Sequence, residues 1–242
     1  MNFLLLQPLP HSDLAAAVDL DCRCLGGLWT ENGYQREIDS PNSDLFGLYL
    51  QSHQFLQSHQ SLQSQPALEQ PNQQLALTRP GQESSILIGL ACVWAILNEA
   101  HITLLAVDGH YRGQGLGQTL LYALLASAQQ RQMEWATLEV RVSNQPAILL
   151  YQKFGFEQVG QRPGYYQDTG EAALILWRKG LQKPSFQTCL QQWRSEIELR
   201  LHRAHYQLSA PGLWGWSDQL AVEQSDSPDP VEVDYSAVSP LD

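Results

Sequence analysis

The sequence predicts an α/β domain followed by a helical extension, and three stretches lead to that prediction. Residues 105–117, LAVDGHYRGQGLG, read as an uncharged strand ending in a glycine-rich turn. The turn opens into a helix whose apolar positions Leu120, Leu121, Leu124, Leu125 and Ala128 recur at helical spacing. Residues 136–142, ATLEVRV, are β-branched and apolar and read as another strand, again followed by a helix. Beyond Lys179, Phe186, Leu190, Trp193, Ile197, Leu201, Ala204 and Leu208 step by three or four. That spacing predicts one amphipathic helix over 185–208, with Ser185 placed to cap it.

The remaining elements follow in order. Residues 12–25 and 30–39 read as two helices, the second entered through Thr30 as N-cap. LFGLYL (45–50) and ILIGLACVWAIL (86–97) read as strands and as antiparallel neighbours. Between them, 51–85 is rich in Gln and Ser and repeats Gln-Ser-His-Gln at 51 and 57. A connection that long is expected to be an insertion into the domain. His53 and His59 read as parts of the polar repeat rather than as metal ligands. After the strand at 136–142, Asn144 precedes Pro146 in the first turn of a helix that ends at Gly155, the residue suited to a C-terminal cap. From Asp218 to Asp242 there are seven carboxylates and no Lys or Arg, the composition of a disordered acidic tail. The expected layout is a domain over 1–180 with the 51–85 insertion, a helical extension over 181–217, and the tail over 218–242. The apolar stripe of the extension must be buried on its own domain, on a partner or on a second subunit.

Composition narrows the function classes. Hydrophobic content of 43% is enough for a core, and a net charge of −11 argues against direct nucleic-acid binding while suiting a basic peptide. Four cysteines include Cys22 and Cys24, but no second pair or histidine stands at zinc-site spacing. No metal is expected. Met1 to Pro10 has a leucine triplet without a basic segment before it, and Pro8 and Pro10 interrupt it; no signal peptide is read there. The uncharged, apolar run 84–98 is too short to span a bilayer. Reduced thiols in a cytoplasmic, soluble protein are the expectation.

The glycine-rich turn predicts a ligand class. A strand, a loop of exposed backbone N–H groups and a helix N-terminus form an anion site, so the ligand should carry phosphate. Gly113, Gly115 and Gly117 recur every second residue, which does not match G-x-G-x-x-G, and Gly117 is followed by Gln118 and Thr119, not by the Lys of a P-loop. The turn does contain R-x-x-G-x-G at Arg112, Gly115 and Gly117.

That hexapeptide resembles the acetyl-CoA pyrophosphate loop of the GNAT family of N-acetyltransferases. LEVRVSNQPAILLYQKFGF, at 138–156, resembles the signature of the GNAT branch that acetylates protein N-termini, the ribosomal-protein-alanine type included. The similarity runs over roughly 86–179, with weaker support from RCLGGLWTENGYQREID at 23–39. It implies a mixed, mostly antiparallel sheet with splayed middle strands and flanking helices. It also implies acetyl-CoA as co-substrate and a protein N-terminus, most often a ribosomal one beginning with Ala, as acceptor.

The resemblance assigns roles residue by residue. Backbone groups of Leu105, Ala106 and Val107 would pair with the cofactor, the Val107 N–H serving as oxyanion donor. Arg112, Gly113, Gln114, Gly115, Leu116, Gly117 and Gln118 would wrap the pyrophosphate, and Asn144 would hold the pantetheine arm. Glu139 would be the general base and Tyr151 the general acid. From the sequence alone, Glu139 could equally pair with Arg141 on the same strand face, Arg112 could form a surface salt bridge, and Tyr151 could be a packing residue. Tyr165 and Tyr166 would flank the incoming peptide, although Pro163-Gly164 stands where the branch often has Asn before its tyrosines. Acetylation of a small amine or lysine, and non-catalytic acyl-CoA binding, are the alternative functions.

Overall fold

The computed structural model describes residues 1–51 and 85–213. The histidines and repeats of the Gln/Ser-rich segment and the acidic tail lie outside the described residues. The strands are β1 (Asn2–Pro8), β2 (Ser43–Gln51), β3 (Ser85–Ile96), β4 (Glu99–Val107), β5 (Trp135–Arg141), β6 (Glu157–Tyr166), β7 (Glu171–Lys179) and β8 (Tyr206–Ser209). The helices are α1 (Leu14–Leu25), α2 (Glu31–Asp39), α3 (Leu116–Gln130), α4 (Gln145–Lys153) and α5 (Pro184–Arg203). The strands form one sheet in the order β6-β7-β5-β4-β3-β2-β1-β8, in which only β4–β5 and β1–β8 pair in parallel. The expected mixed, mostly antiparallel sheet is present, and β2 and β3 are antiparallel neighbours. Gln51 and Ser85 are register partners, so the segment between them starts and ends at one point of the sheet.

Helices cover both faces. Leu120, Leu121, Leu124 and Leu125 of α3 share one core with Ile148 of α4, Phe154 at its C-cap, and Phe186, Leu190, Trp193, Ile197 and Leu201 of α5. Ala17, Leu20 and Tyr34 of α1 and α2 pack on the opposite face against Leu90, Leu104 and Ala106. Thr30 caps α2, its Oγ1 accepting from the Gly33 N–H, and Asn144 Oδ1 caps α4 by accepting from the Ala147 N–H. The apolar stripe of the extension is thus buried on its own domain, where Trp193 packs 4.6 Å from Phe154, centroid to centroid.

The extension departs from the expected single helix in two ways. It ends at Arg203, and Leu208 belongs to β8, which pairs in parallel with β1. His205 adopts a left-handed φ of 60° there, and its carbonyl accepts from the Asn2 N–H at 2.8 Å. Helical spacing continued through Leu208 because a short strand can place apolar residues on the same core. Ser185 does not cap the helix; Lys183 is the N-cap residue and Pro184 begins the first turn. The leucine triplet at the N-terminus is strand β1, with Leu4 and Leu6 fully buried.

Candidate active site

A bulge in β4 opens the site. Cys92 pairs with Leu104 and Val93 with Ile102, leaving Thr103 as the extra residue. An extra residue reverses the inward and outward alternation and bends the strand. Ala100 and Ile102 accordingly pack in the core under α3, whereas Leu104 and Ala106 pack in the one under α1. Beside β5, β4 is paired only at Glu99, Ala100 and His101. Past His101 the two parallel strands separate.

The backbone of β4 is thereby divided between partners. The Asp108 N–H donates to the Ile88 carbonyl, and successive residues alternate sides, so Ala106 faces β3 while Leu105 and Val107 face the opening. Of the three residues expected to pair with a cofactor, Ala106 has its backbone committed to the sheet. The Val107 carbonyl accepts from Arg112 Nε at 3.0 Å, and Arg112 forms no ion pair among the described residues.

Glu139 stands on β5 just beyond the last paired residues. His101 is paired with Thr137, which makes Glu139 its diagonal neighbour on the same face. Their side chains meet, His101 Nε2 lying 3.0 Å from Glu139 Oε2. Arg162 of β6 lies 3.2 Å from the other carboxylate oxygen. The Glu139 side chain is only 10% exposed. The hydrogen bond from His101 holds the Glu139 carboxyl below the usual carboxylate range despite burial, and the same bond raises the His101 pKa. Arg141, the alternative partner of Glu139, instead forms ion pairs with Asp168 at 2.8 Å and Glu171 at 3.5 Å.

Three tyrosines complete this region. Tyr151 of α4 is buried and packs edge-on against Phe156, and burial pushes its phenol well above the ordinary value. Burial raises the pKa of Tyr166, with the charge of Glu139 a lesser contribution in the same direction, and Tyr166 in turn adds to the effect of burial on Tyr151. Arg141 stacks 3.8 Å over the Tyr166 ring, and Tyr165 meets Tyr166 edge-on at 5.1 Å while remaining 44% exposed. Regular β6–β7 pairing lapses between Arg162 and Tyr166, where Gly164 takes a φ of 62°. Pro163 and Gly164 therefore form an irregular segment that brings Arg162 toward Glu139 and Tyr166 toward Arg141.

The glycine loop lies at the mouth of the opening. Asp108 accepts from the His110 N–H at 3.0 Å, capping the short 3-10 turn Gly109–Tyr111, and also pairs with Arg23 of α1. Those contacts hold the Asp108 carboxyl down at about 2. Gly113 and Gly115 adopt φ values of 78° and 97°, and α3 begins at Leu116 without a side-chain cap. Helix starts leave orphan N–H donors, and here those of residues 113–117 meet no backbone acceptor among the described residues. Leu116 is buried, so only its backbone faces the loop. Gln114 Oε1 accepts from Tyr206 Oη at 2.7 Å, and Gln118 Oε1 accepts from Lys153 Nζ at 3.2 Å. The Gln114 N–H meets no backbone acceptor among the described residues, whereas the Gln118 N–H already donates to the Gly115 carbonyl at 2.9 Å and is closed to a ligand. With donors along the loop and an opening between β4 and β5, the residues present suit an extended ligand that carries a diphosphate.

The sequence does not show that His101 and Arg162 are the partners of Glu139. His101 and Arg162 reach Glu139 from strands 38 residues earlier and 23 later in the chain, and no local periodicity encodes that pairing. The alternating AHITLLAV segment does show His101 on a strand, which is the one local signal.

The acetyltransferase (GNAT) family profile matches residues 38–156. A putative ribosomal protein bS18-alanine N-acetyltransferase of Bacillus subtilis is 44% identical over 91 residues, 38% of this chain and 60% of that protein. An N-alpha-acetyltransferase of Saccharolobus solfataricus is 41% identical over 85 residues, 35% of this chain and 50% of that one. The chain thus spans about half to three-fifths of the length of these relatives. Among solved structures, the ribosomal-protein-S18-alanine N-acetyltransferase from Escherichia coli superposes with a TM-score of 0.53 at 27% identity, over 74% of this chain and 94% of that one.

Proposed function

We propose that this chain, whose residues 38–156 match the acetyltransferase (GNAT) family, transfers an acetyl group from acetyl-CoA to the α-amine of a protein N-terminus. We further propose a ribosomal protein beginning with Ala as the natural acceptor, a substrate that implies a cytoplasmic location. The observation behind this reading is the pairing of His101 with Glu139 where β4 and β5 separate, beside Tyr151 and Tyr166.

Acyl transfer to an amine needs a proton removed from the nucleophile, donors for the developing oxyanion and a proton for the departing thiolate. An α-amine has a pKa near ~8, so a modest base suffices, whereas a lysine at ~10.4 demands more. Glu139, ionised and holding the His101 N–H, is a weak base alone. In this reading the two act as one unit, Glu139 orienting the imidazole and His101 or a water on it taking the amine proton. The Val107 N–H faces the opening and supplies the oxyanion donor. Tyr151 stays protonated because of its burial and hands its proton to the thiolate sulfur. The loop N–H groups with Arg112 hold the diphosphate of acetyl-CoA, and the amide N–H of Asn144 left over from capping holds the pantetheine arm. Tyr165 and Tyr166 line the peptide path.

A peptide beginning with Ala and containing an internal lysine tests the proposal, with the modified amine located by mass spectrometry. Acetylation is expected at the α-amine, and blocking that amine should end turnover. Higher efficiency on lysine side chains or polyamines than on any such peptide would overturn it.

A further inference from the structure

The C-terminal extension reaches the glycine loop from outside the matched family segment. α5 lies along α3, and its last turn, rich in Arg200, His202 and Arg203, ends beside the start of α3. Arg200 Nη2 donates to the Gly113 carbonyl at 3.0 Å. Its aliphatic stem lies so close to Gly115 that an added Cβ there would sit 3.0 Å from Arg200 Cδ. Tyr206 and Leu208 of β8 are fixed by pairing with β1, and Tyr206 Oη bonds Gln114.

The charge of Arg200 is not neutralised locally. Arg23, Arg131, Arg141 and Arg194 each pair with a carboxylate. Arg200 pairs with none among the described residues; it donates to a neutral carbonyl, that of Gly113, in a chain of net charge −11. A guanidinium has five N–H donors in a planar fork, so one bond to Gly113 leaves others for an anion. Arg112, the residue before Gly113, likewise bonds a neutral carbonyl, that of Val107. Two arginines thus stand at Gly113, where a row of backbone N–H groups over residues 113–117 begins that meet no backbone acceptor among the described residues.

We propose that Arg200 is a phosphate-binding residue, delivered by the extension to the glycine loop, where it binds the diphosphate of CoA together with the loop N–H groups. This assignment rests on the proposed acetyl-CoA reading and makes the extension part of the co-substrate site.

Arg200→Met keeps much of the stem packed on Gly115 and removes the charge. Calorimetry should show CoA and dephospho-CoA, which both contain the diphosphate, weakened equally, by roughly ten- to a hundredfold, the size of a charge-assisted bond. With acetyl-pantetheine, which has no phosphate, kcat/KM should match that of the unsubstituted chain, and the thermal midpoint without ligand should not move. Arg200→Gln provides the same comparison if the methionine variant aggregates. Unchanged CoA affinity would overturn the assignment, as would an equal loss with acetyl-pantetheine, which would make Arg200 a loop-shaping residue. Loss with CoA but not dephospho-CoA would move the contact to the ribose phosphate and refute the diphosphate assignment. An unsubstituted chain that binds neither ligand would refute the acetyl-CoA reading itself, and this assignment with it.

Discussion

His101 Nε2 and Glu139 Oε2 lie 3.0 Å apart across the point where β4 and β5 part. The bond lowers the carboxyl and raises the imidazole, so over the middle pH range the carboxylate accepts from a ring N–H. If the neutral imidazole is the active form, kcat/KM should rise as pH passes through a value above the ordinary ~6.5 of histidine. Glu139→Gln should bring that limb back down in pH, and Glu139→Gln and His101→Gln should each lower kcat by about 10²–10⁴. CoA affinity should hold in both. A pH profile and turnover like those of the unsubstituted enzyme in both variants would remove the pair from the chemistry.

The same pair makes a pH-dependent contribution to stability. A raised His101 pKa stabilises the fold fully below the unfolded histidine value, and that part is lost as pH rises through the folded one. A lowered Glu139 pKa stabilises above the unfolded carboxyl value, and that part is lost as pH falls through the folded one. Between those limits the pair is at its strongest. The stability difference between the unsubstituted chain and the double variant His101→Gln/Glu139→Gln, measured by urea unfolding, should therefore be largest at mildly acidic pH and shrink toward either side.

Tyr151→Phe removes one oxygen from a buried ring that packs on Phe156. The fold should tolerate it with little change in thermal midpoint. Turnover should fall by about 10²–10⁴ if the phenol protonates the leaving thiolate. Replacing the acetyl thioester with a donor whose leaving thiol is more acidic should recover much of the loss, an outcome that a packing role would not produce.

Gly113 and Gly115 separate conformational strain from crowding. Both are left-handed, where an alanine costs about 1–2 kcal/mol. Gly113 faces open space, while a Cβ on Gly115 meets Arg200. Gly115→Ala should weaken CoA binding more than Gly113→Ala, and Arg200→Ala should relieve part of the Gly115→Ala defect in protein stability. Equal effects of the two alanines would show that crowding by Arg200 is absent.

Trp193→Ala tests whether the extension folds with the domain. Trp193 packs on Phe154 and Phe186 in the core shared by α3, α4 and α5. Truncating a buried aromatic of this kind costs about 3–5 kcal/mol. Thermal unfolding should shift downward as one transition; a separate early transition for α5 would show that it is only loosely attached.

Local chemistry determined much of this protein. Glycine spacing marked the loop, local pattern marked α1 to α4 and strands β2 to β5, and Thr30 and Asn144 announced their helices because a cap bonds only three residues ahead. Glu139 and Tyr151 were legible as candidates because they stand in a recognisable strand–helix signature. Tertiary structure alone decided what these residues touch. The bulge at Thr103 parts β4 from β5, and that separation lets His101 meet Glu139; Arg162 comes to the same carboxylate from an irregular hairpin. Helical spacing ran on to Leu208, yet His205 turns the chain and β1 draws the end of it into the sheet, setting Arg200 beside Gly113. Caps and periodicity depend on neighbours within a turn, so a sequence displays them. An ion pair or a strand edge depends on segments that only folding brings together, and nothing in the spacing along the chain encodes which will meet.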